Sequence, residues 1–149
     1  MKYKIYTDGS CHGNPGPGGW AYLIHNEEKI ISENSGYSED TTNNKMELTA
    51  IIEAIAEIQV FTNVSAIQLF TDSKYAIDGI NSWIHAWKKN NWRTSSKKEV
   101  KNINLWKQLD IYNSNLNIEW IWVKGHSGDP FNDKVDAMAN LATLNKKSL

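Results

Sequence analysis

"YTDGSCHGNPGPGG", residues 6–19, ends an apolar run on Asp8 and continues through a Gly/Pro-rich stretch that carries a lone cysteine and a histidine. A phosphate loop of the G-x-x-x-x-G-K-[ST] type needs a Lys and a helix after its glycines, and a dinucleotide loop needs G-x-G-x-x-G ahead of a helix. Here Gly18 and Gly19 lead directly into "WAYLIH" (20–25), which reads as a strand. The stretch is therefore a wide turn between two strands, in which Gly13 and Gly16 leave room for a ligand backbone to approach. Cys11 has no His or Asn placed by a sequence signature to activate it, so thiol catalysis is not expected.

Working outward, "KYKIYTD" (2–8), "GGWAYLIH" (18–25) and "KIISENSGY" (29–37) are short β-prone runs, and the last two are close enough for a hairpin. A helical pattern over 43–59 follows, then the strand "SAIQLFTD" (65–72), a helical segment from about 73 and another at 100–113. The strand "NIEWIWV" (117–123) precedes a final helix over 130–145, with Asp129 as N-cap and Pro130 at the first helical position. The order βββαβα(α)βα predicts an α/β (α+β) chain: a mixed sheet, three antiparallel strands first, covered by helices. With 149 residues and 40% hydrophobic content, one domain over 1–149 can bury roughly two-thirds of its unfolded surface.

Sixteen basic residues stand against seventeen acidic ones, for a net charge of −1. No global field draws the protein to nucleic acid or to an anionic membrane, so such a partner must be met by a local patch. The single cysteine excludes an internal disulfide and a cysteine-based zinc cluster, and suits a reducing compartment. Neither a signal peptide nor a run near the ~20 apolar residues of a membrane span is visible, which predicts a cytoplasmic protein without membrane contact.

The carboxylates are less easily explained by solubility. "Ile5-Tyr6-Thr7-Asp8" is echoed by "Leu69-Phe70-Thr71-Asp72"; if the two strands are neighbours, Asp8 and Asp72 stand at the same sheet end. Read singly, each Asp is as well explained as a cap of the turn or helix that follows. On a helical wheel Ala50, Ile51, Ala54 and Ile58 fall within about 60° of Glu47, which turns this acid toward the core. A capping box from Asn44 to Glu47 is the alternative reading. In the last helix Asn132, Asp136 and Asn140 form one polar stripe opposite Phe131, Val135, Met138 and Ala142. If these four acids converge, like charges ~4 Å apart repel by about 4 kcal/mol at an effective dielectric near 20, so they need cations to stay ionised. All-oxygen ligation points to Mg²⁺ or Mn²⁺, and a pair of such ions is the usual device for in-line displacement at a phosphodiester.

"YTDGSCHGNPGPGG", "TTNNKMEL", "TDSKY", "WKKNNWRT", "KNINLW", "WVKGHSG" and the N-D-K-V-D that follows, in this order along nearly the whole chain, resemble type 1 ribonuclease H, the bacterial single-domain ribonuclease HI. The resemblance implies the ribonuclease H-like fold, a five-stranded mixed sheet flanked by helices. It implies endonucleolytic cleavage of the RNA strand of an RNA/DNA hybrid with two Mg²⁺ ions, Mn²⁺ able to substitute, leaving 5′-phosphate and 3′-hydroxyl ends. Asp8, Glu47, Asp72 and Asp136 match its metal-binding carboxylates, and His126 its mobile histidine for proton transfer or product release. Asn14 and Asn43 match residues that sense the minor groove and the RNA 2′-hydroxyls. Thr42 and Asn132 match a pocket for a DNA-strand phosphate. Lys74 stands where the family often has Gln, and could meet a phosphate instead.

Residues 81–107 concentrate Lys88, Lys89, Arg93, Lys97, Lys98, Lys101 and Lys107 against one acid, Glu99, and interleave four of the seven tryptophans. Basic residues with an exposed aromatic suit phosphate contacts and stacking. Trp87 and Trp106 read as packing residues, whereas Trp83 resembles the family's DNA-strand contact in a basic protrusion at about 81–101. The expected partner is a hybrid duplex, with no obligate protein partner and a monomeric state. The rival readings are a nuclease of the same fold acting on DNA and a hybrid-binding module without catalysis. The complete "TTNN" element argues against the first, and the retention of all four acids against the second.

Overall fold

A computed structural model describes residues 2–27, 29–61, 63–125 and 127–145. Five strands form one sheet: β1 (Lys2–Cys11), β2 (Gly16–Asn26), β3 (Lys29–Thr41), β4 (Ala66–Thr71) and β5 (Ile118–Trp122). Their spatial order is β3-β2-β1-β4-β5. β1 runs antiparallel to β2 and parallel to β4, β2 and β3 form the expected hairpin, and β5 is parallel to β4. The three first strands are longer than their apolar runs. Gly18 and Gly19 pair with Cys11 and Ser10 on one side and with Ser38 and Tyr37 on the other, because a central strand offers partners even to residues with no strand propensity.

Alternation along β1 divides the core between the two faces of the sheet. Tyr3 and Ile5, with Tyr22, Ile24, Ile67 and Leu69, pack under the helices α1 (Asn43–Ile58) and α4 (Ile103–Asn115). Tyr6, with Ala21 and Leu23, packs on the opposite face under α5 (Pro130–Asn145), through Val135 and Ala139. The helical segment after β4 is α2 (Lys74–Asp78), a π-helical turn (Gly79–Trp83) and α3 (Ile84–Lys89) in succession.

Two helix starts decide the site. Asp129 caps α5 as its sequence predicts, Oδ1 accepting from the Phe131 and Asn132 amides at 3.0 and 3.3 Å. α1 departs from expectation: Thr42 is the N-cap, its hydroxyl accepting from the Lys45 amide at 3.2 Å. Asn44 is inside the first turn, so no capping box forms and Glu47 lies two residues deeper in the helix, on the buried face with Leu48, Ile51 and Ala54. Among the described residues no helix is long and apolar enough to cross a membrane.

Candidate active site

Parallel pairing puts Thr7 opposite Thr71, so the next residues, Asp8 still within β1 and Asp72 just past β4, stand side by side where the β1–β4 pairing ends. The Asp72 carboxylate does not serve as a helix cap. Ser73 takes that role, its hydroxyl accepting from the Ala76 amide at 3.1 Å. Gly9 explains how Glu47 joins them: a Cβ there would lie 2.4 Å from the Glu47 amide nitrogen and 2.6 Å from the Met46 carbonyl carbon, so only glycine lets α1 approach β1 this closely. The Gly9 amide donates to Asp8 Oδ1 at 2.8 Å. In the Gly/Pro loop, Gly16 serves the chain itself, since a Cβ there would strike the His12 carbonyl at 2.0 Å.

Asp8, Glu47 and Asp72 each offer a carboxylate oxygen within 4.8 Å of the other two. Asp8 is 3% and Glu47 5% exposed. Burial, and then the neighbouring Asp72 charge and a hydrogen bond with Asp136, push the Asp8 carboxyl up to about 8. Burial together with the Asp8 and Asp72 charges raises Glu47 well above the ordinary carboxylate range. Glu47 Oε2 is buried without a hydrogen-bond partner. Three hard oxygen donors with one orphaned buried oxygen among them fit a divalent cation, which would neutralise the repulsion and satisfy that atom. Asp136, half-buried on α5, reaches Asp8 but lies outside the group of three.

Of the other expected site residues, Asn14 and Asn43 are brought together: Asn14 Oδ1 accepts from the Asn43 amide at 2.8 Å, tying the opening loop to the start of α1. A groove of about 780 Å³ runs from there toward the basic segment, lined by Asn14, Thr42, Lys45, Lys98, Lys101 and Asn102 among others. Thr42 and Asn132 are not brought together. Asn132 is 1% exposed on α5, on the opposite face of the sheet, and Asn102 occupies the groove with Thr42. Its side chain donates to the Tyr75 hydroxyl at 3.1 Å, as does the Trp106 indole. Trp106 is fully buried and Trp87 packs against the same core, whereas Trp83 remains 37% exposed. Lys88 pairs with Asp110 at 3.3 Å, and Lys89 is exposed. His126 lies outside the described residues.

Lys74 is exposed with its ammonium 4.8 Å from the Trp122 ring centroid. The Trp122 indole in turn donates to the Asp72 carbonyl at 3.1 Å. Trp122, Gly9 and Asn102 are the residues that sequence reasoning missed. The first was signalled only by an aromatic at the last position of β5, opposite Thr71.

The family described as RNase H matches residues 1–143. A ribonuclease H from Ruthia magnifica subsp. Calyptogena magnifica is 54% identical over 141 residues, covering 95% of this chain and 94% of that protein. One from Pseudoalteromonas atlantica is 50% identical over 152 residues, covering 100% and 95%. The fold is similar to that of LC9-RNase H1, a type 1 RNase H with the type 2 active-site motif, with TM-score 0.84 at 29% identity, covering 99% of this chain and 74% of that one. LC11-RNase H1, solved in complex with an RNA/DNA hybrid, shares the fold with TM-score 0.75 at 23% identity, covering 96% and 97%.

Proposed function

Because the chain belongs to the ribonuclease H family and its relatives at about 50% identity are ribonucleases H, we propose that this enzyme cuts the RNA strand of RNA/DNA hybrids endonucleolytically, leaving 5′-phosphate and 3′-hydroxyl ends. The observation that carries the reading is the carboxylate group formed by buried Asp8 and Glu47 with half-buried Asp72, Glu47 Oε2 being unpartnered inside it. These three, with Asp136, would hold two Mg²⁺ ions, with Mn²⁺ able to substitute. Bound there, the ions supply Lewis acidity at the scissile phosphate and acidify the attacking water.

The chain's own groups do the rest. The Gly9 amide fixes the rotamer of Asp8 through Oδ1. Burial favours the protonated form of Asp8 and of Glu47, and cations held there would compete with those protons. His126 moves a proton to or from the departing product. The Asn14–Asn43 pair reads the minor groove and the RNA 2′-hydroxyls, and a DNA-strand phosphate sits at the Thr42 end of the groove, where Asn102 and Lys101 also converge. Trp83 offers its exposed ring to the DNA strand, and Lys89 its ammonium to phosphates, with Lys88 joining when it leaves Asp110. Lys74, held over the Trp122 ring and exposed, offers its ammonium to a phosphate of the hybrid. Residues 1–149 act as one monomeric domain with the protrusion at about 81–101, in the reducing cytoplasm that a lone Cys11 suits. The relative solved with a hybrid has this fold, which supports the substrate class.

The test is cleavage of a labelled hybrid beside single-stranded RNA, double-stranded RNA and double-stranded DNA, with Mg²⁺ and with chelator. Cutting of the hybrid's RNA strand alone, lost with chelator, is expected. Cutting of DNA, or tight hybrid binding without cutting in any divalent metal, would replace this reading.

A further inference from the structure

Every second residue of β1 near the site meets α5 through a polar contact. The Tyr6 hydroxyl donates to Asp129 Oδ2 at 2.9 Å and the Ser10 hydroxyl to Asn140 Oδ1 at 2.7 Å, and between these two bonds the Asp8 and Asp136 carboxyls face each other. The spacing follows from the two periodicities. Residues two apart on a strand share a face, and Asp129 and Asp136, two helical turns apart, drift by only about 20° around the axis. Asp136 and Asn140 are one turn apart on the same stripe.

The three rungs differ in kind. The middle one joins two carboxyls, which repel once both are ionised. The lower one is anchored. Tyr6 is 6% exposed and stacked on Phe70 of β4 with ring centroids 4.5 Å apart, so it cannot follow Asp129 if α5 lifts away. Asp129 also caps α5 with its other oxygen, so a single carboxylate fixes the start of the helix to β1. The upper rung closes the ladder on the far side of the acid pair.

We infer that Tyr6–Asp129 and Ser10–Asn140 are positioning pairs that hold Asp136 against Asp8 and thereby set the divalent-cation affinity of the site. This rests on the reading of the acid group as a cation site. The effect of the pairs passes through the placement of α5.

The test titrates Mn²⁺ into the nucleic-acid-free protein by calorimetry and, separately, measures hybrid cleavage against Mg²⁺ concentration. The variants are Tyr6→Phe, Ser10→Ala, their combination, and Ser10→Thr. Each lost hydrogen bond should weaken Mn²⁺ binding about 3- to 10-fold, and shift the Mg²⁺ midpoint of cleavage equally. The hybrid KM and the kcat at saturating metal stay near wild type, and Ser10→Thr, which keeps the hydroxyl, binds Mn²⁺ like wild type. Ser10 is half-buried and belongs to neither core cluster, so Ser10→Ala decides the question even if Tyr6→Phe destabilises the core. Unchanged Mn²⁺ affinity with a lowered melting temperature would overturn the inference, leaving the rungs as packing, while the cation site stands. A wild type that binds no divalent cation and cuts no hybrid would overturn the site reading itself, and the inference with it.

Discussion

The acid end of the sheet and the basic segment after β4 carry opposite charge by opposite means. Asp8 and Glu47 are all but buried, so each charge there is expensive and its state depends on what else is present. Lys89, Lys97, Lys98 and Lys101 are exposed around short helices and turns, so each is individually cheap and screened by salt. The contrast teaches that the first region acts through a few irreplaceable groups on a rigid frame, and the second through a sum. Where tryptophans enter the second region, the same division recurs within it, Trp106 being structural and Trp83 available.

The largest effect that would break this contrast is at the acids. Asp8→Asn should lower kcat by about 10³-fold or more, the worth of several kcal/mol of Lewis-acid stabilisation, with hybrid binding retained. Measured kcat within tenfold of wild type would show that the buried group is not the reacting centre. Next, Trp106→Ala should cost about 3–5 kcal/mol of stability in denaturant melts. Trp83→Ala should cost less there, about 1–2 kcal/mol, while raising the hybrid KM. Equal losses of stability would erase the distinction drawn between the two rings.

The pH response sharpens the first half of the comparison. Because the folded Asp8 carboxyl is raised from 3.8 to about 8, the stability this group contributes is present below its ordinary range and is lost as pH rises through about 8. A cation competes with that proton, so the Mg²⁺ concentration at half-maximal activity should fall between about pH 6 and pH 8, and Mg²⁺ should raise the melting temperature more at the higher pH. A metal requirement flat across that range would mean that the acids are already ionised at pH 6. The smallest effect is expected from the sum. Removing Lys89, Lys98 and Lys101 together should raise the hybrid KM at physiological salt, and reduce the slope of log affinity against log salt by about 2–3, without changing kcat.

Much of the site was legible because strands and helices have fixed periods. The echo of Tyr6-Thr7-Asp8 in Phe70-Thr71-Asp72 became two acids at one sheet end through the parallel register of β1 and β4. The wheel that turned Glu47 inward holds, although the capping box read beside it does not, since either Thr42 or Asn44 could start the helix and local sequence does not choose between them. Asn102 was hidden for a different reason. Its partnership with Thr42 joins the start of α1 to the start of α4, and only the packing of the basic segment on Tyr75 and Trp106 brings the two together.

By itself, then, the sequence determined the order of elements, which faces are apolar, and which acids are too well placed to be surface solubility, because these follow from periodicity and burial along the chain. Tertiary structure alone decided that Gly9 is the gap through which Glu47 reaches Asp8, that Asn132 faces the far side of the sheet, and that Tyr6 and Ser10 bracket the acid pair against α5. Each of these is a contact between segments distant in sequence. Its geometry comes from how close two packed surfaces can come, which no local pattern encodes.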